Sequence, residues 1–212
     1  MPLLRGAVGD LSWLLQRGYA PGSALKLVGD RYRLDERQRN GVMRCSAADD
    51  AVAHRQRRRL AALAGRVVAL DGYNVLTTVE AGLSGGVILR GRDGCYRDLA
   101  RMARTWHRVD ETASAFRRLS QAMLELDVSE ARWYFDSPIS NSGRLAALLR
   151  AEAVQGGWPC TIELVPNPDA VLMRADGPVV SADSEILDRC QHWFNLTEHV
   201  LRELDVWLVD LG

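Results

Sequence analysis

The chain has 212 residues, 47% of them hydrophobic, and its 27 basic side chains balance its 27 acidic ones. This composition is typical of a globular protein of one domain with a small helical addition, and it excludes a low-complexity or collagen-like chain. No apolar run approaches the roughly 18 residues of a membrane span, and the N-terminus lacks the apolar stretch of a signal peptide. We therefore expect a cytoplasmic protein with no membrane partner.

The N-terminal part is basic and has a helical pattern. Residues 1–60 hold 12 Lys or Arg and 6 Asp or Glu. Apolar residues recur at helical spacing from Leu4 to Leu15, a second short helix follows Pro21, and Asp35 with Gln38 predicts a capped helix start. A further helix begins at Asp49 or Asp50 and is expected to run to Gly65. The sequence therefore predicts a small all-helical domain over residues 1–64.

The pattern changes at Arg66, where short apolar runs begin to alternate with helical segments. Strands are predicted at residues 67–70, 131–135, 160–165, 179–180 and 206–209, with helices after the second and fourth of them. A long helix is expected after Asp110, and a last helix is expected to be capped by Thr197. Residues 75–108 show no regular pattern. Such alternation predicts an α/β domain over residues 65–212, with a mainly parallel sheet flanked by helices.

Three of the predicted strands run into an aspartate: Asp71, Asp136 and Asp183. In open α/β sheets, ligands bind beyond the carboxyl ends of the strands, so these side chains are expected to share one crevice. Unpaired carboxylates a few ångströms apart repel one another unless they bind a proton or a cation. Oxygen ligands of this kind suit Mg²⁺ or Mn²⁺. The alternative is that each aspartate only caps a following helix.

Ordered motifs connect these residues to a known superfamily. The motifs are DGYN at 71–74, FDS at 135–137, PNPDAVL at 166–172 and VVSADSEI at 179–186. Together they resemble the acidic motifs of PIN-like nucleases, especially of the NYN-type branch. With DGCYRD at 93–98 and DSPISNSG at 136–143, nearly the whole chain resembles a prokaryotic family, the domain of unknown function numbered 434, whose C-terminal part is PIN-like.

The resemblance implies metal-dependent cleavage of RNA phosphodiesters. It assigns Asp71, Asp136, Asp169 and Asp183 to catalysis, and the first, second and fourth of these to binding Mg²⁺ or Mn²⁺. Asn74 would orient Asp71 or touch the substrate, and Asp98 is an additional candidate of the second family. Two departures from the NYN pattern are Glu185, which stands where a further acidic residue is often found, and the long 75–108 insertion.

Several polar residues are candidates for contacting the RNA. Ser137, Ser140 and Ser142 lie between a strand end and a helix start, where they could hold a phosphate or only cap the helix. Arginines between residues 90 and 108, Arg97 among them, could follow a single strand together with Tyr96, Trp106 and His107. The alternative is that they pair with acidic residues of the C-terminal domain. For Arg55, Arg57, Arg58 and Arg59, the alternatives are contact with backbone phosphates and a solvated or interdomain face.

The sequence leaves two other functions open. A catalytically weak PIN-like module could bind RNA or a protein partner without cleaving anything. A phosphatase or phosphotransferase is less favoured, because the first strand ends in DGYN and lacks the DxD that a haloacid-dehalogenase-type nucleophile requires. The sequence also allows a homo-oligomer.

Overall fold

A computed structural model of the protein describes residues 1–99 and 111–212. Its elements in chain order are α1 (Pro2–Gln16), α2 (Pro21–Arg31), α3 (Glu36–Cys45), α4 (Asp49–Arg58), β1 (Val67–Asp71), α5 (Gly72–Leu83), β2 (Val87–Arg90), β3 (Tyr96–Asp98), α6 (Glu111–Glu125), β4 (Glu130–Asp136), α7 (Ser142–Gly156), β5 (Cys160–Val165), α8 (Pro168–Leu172), β6 (Val179–Val180), α9 (Ser184–Arg189), α10 (Leu196–Leu201) and β7 (Trp207–Asp210).

The first four helices follow the sequence signals closely. Asp35 and Gln38 form the expected capping box at the start of α3, each side chain accepting a hydrogen bond from the backbone N–H of the other residue. The prediction that the fourth helix runs to Gly65 is wrong, because α4 ends at Arg58. Leu60 N–H instead donates to the carbonyl of Trp193, 2.8 Å away, so the backbone pairs with a distant segment.

A four-stranded sheet in the order β5-β4-β1-β6 forms the centre of the C-terminal part. Each adjacent pair in this sheet is parallel, as the alternation of strands and helices predicts. Side chains from one face, such as Trp133 and Phe135, pack with Phe116 of α6 and Leu145 of α7. On the opposite face, α8 and α9 cover part of the sheet with a smaller apolar cluster that includes Ala69 of β1.

A second sheet, in the order β3-β2-β7, carries the N-terminal helices. Leu89, Val209 and Leu211 share a buried cluster with residues of α1, α2 and α3. The last predicted strand is therefore real, but it does not belong to the large sheet: β7 pairs in parallel with β2. The segment 75–108, which lacks a regular sequence pattern, supplies α5 and the antiparallel β2–β3 hairpin as well.

Of the two predicted helix caps in the C-terminal part, one is wrong and the other lies outside the described residues. Asn195, and not Thr197, caps α10, because the Asn195 side chain accepts a hydrogen bond from Glu198 N–H. Asp110 lies outside the described residues. No helix in the described part of the chain is long and apolar enough to cross a membrane.

Candidate functional site

The strand-end aspartates lie at one edge of the parallel sheet. Asp71 is the last residue of the inner strand β1, and Asp136 is the last residue of its neighbour β4. Asp183 follows β6, the neighbour on the other side, and caps α9. Asp169 lies in the first turn of α8, which follows β5. Because the strands are parallel, their carboxyl ends meet at the same edge.

The four aspartates lie close enough for the charge of one to affect the ionisation of another. Burial raises the pKa of Asp71 to about 7, and the negative charges of Asp169 and Asp183 contribute to this rise. Burial also raises the pKa of Asp169, with further contributions from Asp183, Asp136 and Glu185. Burial alone raises the pKa of Asp136. A raised carboxyl pKa means that neighbouring cations do not compensate the negative charge.

Asp71 has two defined hydrogen bonds. Its Oδ1 accepts a long bond from Asn74 N–H at 3.4 Å, in the manner of a helix cap, and its Oδ2 accepts from the Ser181 hydroxyl at 2.7 Å. Neither donor is charged. The carboxylate is thus oriented without being neutralised.

Ser181 is a site residue that the sequence analysis did not identify. Its buried hydroxyl donates to Asp71 and accepts from Asp183 N–H at 3.0 Å, so it joins the ends of β1 and β6. The first position of the S-x-D motif, formed by Ser181 and Asp183, was the available signal. Asn74 does not contact Asp71 through its side chain: its Oδ1 accepts from Ala182 N–H at 2.9 Å.

Tyr73, within DGYN, also lies near the site. Burial, together with the charge of Asp136, raises the pKa of Tyr73 to about 12. Its ring packs edge-on against Phe135 with the centroids 5.1 Å apart. Its hydroxyl is buried and has no hydrogen-bond partner among the described residues.

The acidic group fits a hard divalent cation in chemistry but is not arranged as a finished metal site. Within residues 1–99 and 111–212, no three His, Cys, Asp or Glu side chains are placed so that they could hold one ion. Asp183 Oδ1 is engaged with Glu185 N–H at 2.8 Å and Ile186 N–H at 3.2 Å. A cation would therefore require side-chain rotation at this edge. Within the same residues, none of the four aspartates forms a salt bridge.

Two predicted substrate residues are placed away from solvent. Arg97 is only 3% exposed and forms a bidentate ion pair with Asp93, at 2.8 and 2.6 Å. Asp98 is equally buried and accepts from Arg44 at 2.8 Å. Neither side chain can follow an RNA strand in this arrangement, since both are committed to internal ion pairs.

Residues 137–142, which lead into α7, include side chains with hydrogen-bond partners in the described structure and side chains without them. Ser142 is buried and its hydroxyl donates to the carbonyl of Ser137 at 3.2 Å. The Ser137 and Ser140 side chains are exposed and form no hydrogen bond within the described part of the chain. Asn141 adopts a left-handed conformation at the N-cap with φ of 69°. Two hydroxyls beside Asp136 thus remain available to a ligand.

Most of the other arginines considered for RNA contact have internal partners. Arg55 is 3% exposed and pairs with Asp93 and Asp188. Arg58 donates to the carbonyls of Asp188 and Cys190, and Arg59 pairs with Glu198. These contacts join α4 to the C-terminal part, as the alternative interpretation predicted.

The arginines between residues 90 and 108 that the structure describes also have internal partners. Besides the Arg97 pair, Arg90 pairs with Asp210 and Arg92 pairs with Asp49. Arg101, Arg104, Trp106, His107 and Arg108 lie outside the described residues.

A groove beside the acidic edge offers exposed cations instead. It is lined by Asn167, Asp169, Ala170, Met173, Arg174, Glu185 and Arg189. Arg189 pairs with Glu185 at 3.0 Å. Arg174 is exposed and has no ion-pair partner within the described ranges. The groove therefore places a free guanidinium near Asp169.

Comparison with known proteins gives family relationships without an activity. Residues 3–58 match the family described as "Protein of unknown function (DUF434)", a shorter match than the nearly complete resemblance inferred from the sequence. The archaeal "Uncharacterized protein MJ0935" of Methanocaldococcus jannaschii is 27% identical over 180 residues, which cover 84% of this chain and 86% of that protein. No solved structure was found to match the chain. Residues 60–199 match "Domain of unknown function (DUF5616)", and the chain belongs to that family.

Proposed function

We propose that the protein is a metal-dependent nuclease that cleaves RNA phosphodiesters, built as a basic helical domain over residues 1–64 and a PIN-like, NYN-type domain over 65–212. The observation that carries the proposal is the group of mutually interacting carboxylates at the carboxyl edge of the parallel sheet. The partly buried Asp71, whose pKa is raised to about 7, has no cation to balance it among the described residues. Such an arrangement is costly unless a ligand uses it, and perturbed carboxyls of this kind cluster at functional sites.

Side chains at the acidic edge have two roles in this proposal, holding the metal ion and orienting one of its ligands. Asp71, Asp136 and Asp183 would hold Mg²⁺ or Mn²⁺, with Asp169 beside them. A divalent ion bound there would neutralise charge on the scissile phosphate and promote ionisation of the attacking water. Ser181 orients the Asp71 carboxylate through its 2.7 Å hydrogen bond.

Substrate contacts are assigned to exposed groups on either side of the acidic edge. Ser137 and Ser140 can donate to a phosphate oxygen next to Asp136. Arg174, in the groove beside Asp169, can neutralise a neighbouring phosphate. This replaces the assignment of Arg97, which is buried.

A PIN-like module that binds RNA or a protein partner without cleavage is the second candidate. Two observations favour it. Asp71 and Asp183 both act as helix caps, and the described residues contain no preformed group of three metal ligands. In this alternative the aspartates of the acidic edge stabilise the fold as helix caps and bind no metal ion.

The distinguishing experiment is incubation of single-stranded RNA with the protein and Mn²⁺. The wild type is compared with Asp71→Asn and with Asp176→Asn, an exposed aspartate that serves as the matched control. The nuclease proposal expects cleavage by the wild type and by Asp176→Asn, and its loss in Asp71→Asn and in chelator. RNA binding without cleavage by any of the three would support the binding module. A DNA strand of the same sequence tests whether RNA is the preferred substrate.

A further inference from the structure

The backbone of Ala182, the residue before Asp183, is held from both sides. Ala182 N–H donates to Asn74 Oδ1 at 2.9 Å, and the Ala182 carbonyl accepts from Arg97 Nε at 2.9 Å. Asn74 belongs to α5 and Arg97 to β3, so two elements from different parts of the fold converge on one residue of the β6–α9 connection. The backbone position from which the Asp183 side chain extends is thereby fixed.

Arg97 is itself held rigidly. Its two terminal nitrogens bind the two oxygens of Asp93 at 2.8 and 2.6 Å, and both side chains are at most 3% exposed. Asp93 also accepts from Arg55 at 2.7 Å. Although burial would raise it, the charges of Arg97 and Arg55 hold the pKa of Asp93 well below its usual range.

The same network reaches the other end of α9. Arg55, on α4, donates to both carboxylate oxygens of Asp188 at 2.7 and 2.9 Å. Helix α9 is thus attached near Asp183 through Arg97 and at Asp188 through Arg55. A buried ion pair adds little net stability, because desolvation offsets the attraction between the charges. The buried Arg97–Asp93 pair is better explained by the position that it gives to the residues it contacts than by a gain in stability.

We propose that Arg97 and Asn74 form a clamp on the backbone N–H and carbonyl of Ala182 that positions the Asp183 carboxylate opposite Asp71. The catalytic consequence of the clamp rests on the proposed function, but the clamp itself does not. Lysine cannot replace Arg97, since one ammonium group cannot reach Ala182 and bind both oxygens of Asp93 in the same plane. Arg97 is therefore a positioning residue that never touches the substrate.

Arg97→Lys is the direct test, with Arg59→Lys as its control. Arg59 also pairs with a largely buried carboxylate, that of Glu198, but has no hydrogen bond to Ala182 or to α9. The first measurement is amide hydrogen exchange, which requires neither metal nor substrate. Arg97→Lys should accelerate exchange at Ala182 by at least about tenfold while leaving the Leu70 amide of β1 unchanged. Arg59→Lys should change neither.

The second measurement is the Mn²⁺ dissociation constant of the folded variants. Loss of an outer contact that orients a metal ligand typically weakens metal binding by about 10- to 100-fold, and this range is expected for Arg97→Lys only. With RNA, its kcat should fall while KM stays near the wild-type value. Unchanged Ala182 exchange in Arg97→Lys would overturn the clamp, and faster exchange with unchanged Mn²⁺ affinity would overturn its role in positioning Asp183.

Two further outcomes are also decisive. If Arg97→Lys does not fold, Asn74→Ala removes the opposite half of the clamp and must give the same loss of Ala182 protection. If it does not, the inference is wrong. If the wild type neither binds Mn²⁺ nor cleaves RNA, the proposed function fails, while the exchange measurement still decides whether the clamp exists.

Discussion

Replacing Asp71 by asparagine should stabilise the metal-free protein at alkaline pH. Burial raises the pKa of Asp71 from its ordinary value of 3.8 to about 7, so the folded state binds this proton more tightly than the unfolded chain does. Wild-type stability should therefore fall as the pH rises from about 4 to about 7 and change no further through this group. Asparagine does not ionise, so the variant should lack this pH dependence.

The size of the effect follows from the same pKa. Each tenfold change in proton affinity corresponds to about 1.4 kcal/mol, so the rise costs the folded state about 4 kcal/mol at pH 8. Water offsets part of this cost, because Asp71 is not fully buried. The Ser181 hydrogen bond favours the ionised form, and its effect is already contained in this pKa. A net gain of about 2 kcal/mol remains, equivalent to about 4–8 °C in Tm for a chain of this size.

The assay is a set of thermal melts at pH 4, 6 and 8, each with chelator and with Mn²⁺. In chelator, Asp71→Asn should melt above the wild type at pH 8 and level with it near pH 4. With Mn²⁺ at about 100 times its dissociation constant, the wild type should gain about 3 kcal/mol and the variant much less. The control variant Asp176→Asn should stay within about 0.5 kcal/mol throughout.

Two results would refute this reasoning. A lower Tm for Asp71→Asn in chelator at pH 8 would mean that the ionised carboxylate stabilises the fold as a helix cap. A wild-type Tm that is indifferent to both Mn²⁺ and Mg²⁺ would remove the case for a metal site and favour the binding module.

Three further predictions test the neighbourhood of the site. Ser181→Ala leaves Asp71 Oδ2 and Asp183 N–H without their partner, so it should lower the free energy of unfolding by about 1–3 kcal/mol in denaturant titrations; no loss would mean that water replaces the hydroxyl. Asp93→Asn leaves the buried guanidinium of Arg97 without a counter-charge and removes one of the two carboxylates that pair with Arg55, so it should cost about 3–5 kcal/mol at pH 7. Because the pKa of Asp93 is depressed, this difference should shrink only below about pH 4, and an equal loss at pH 3 would contradict it. Arg174→Glu should weaken RNA binding and flatten its dependence on salt concentration, whereas the exposed Arg118→Glu on α6 should not; equal effects of the two would exclude a specific role for the groove.

The sequence by itself determined the features that depend on neighbouring residues. The capping box of α3, the apolar run of β1 and the alternation that predicts a parallel sheet are all local patterns, and the structure contains each of them. The placement of Asp71 and Asp136 follows from these patterns, because a strand's last residue must lie at the sheet edge where that strand ends. Ser181 was within reach of the same reasoning through its motif.

Only the tertiary structure decided which partners the arginines have and which sheet the last strand joins. The residues next to an arginine in the sequence do not show whether its guanidinium group will be exposed or buried. Arg55 finds its partners at Asp93 and Asp188, which are 38 and 133 residues away. Likewise β7 leaves the large sheet because Val209 is buried against helices from the other end of the chain. Burial and ion pairing at such separations depend on which surfaces meet in the folded chain, and no local periodicity encodes that.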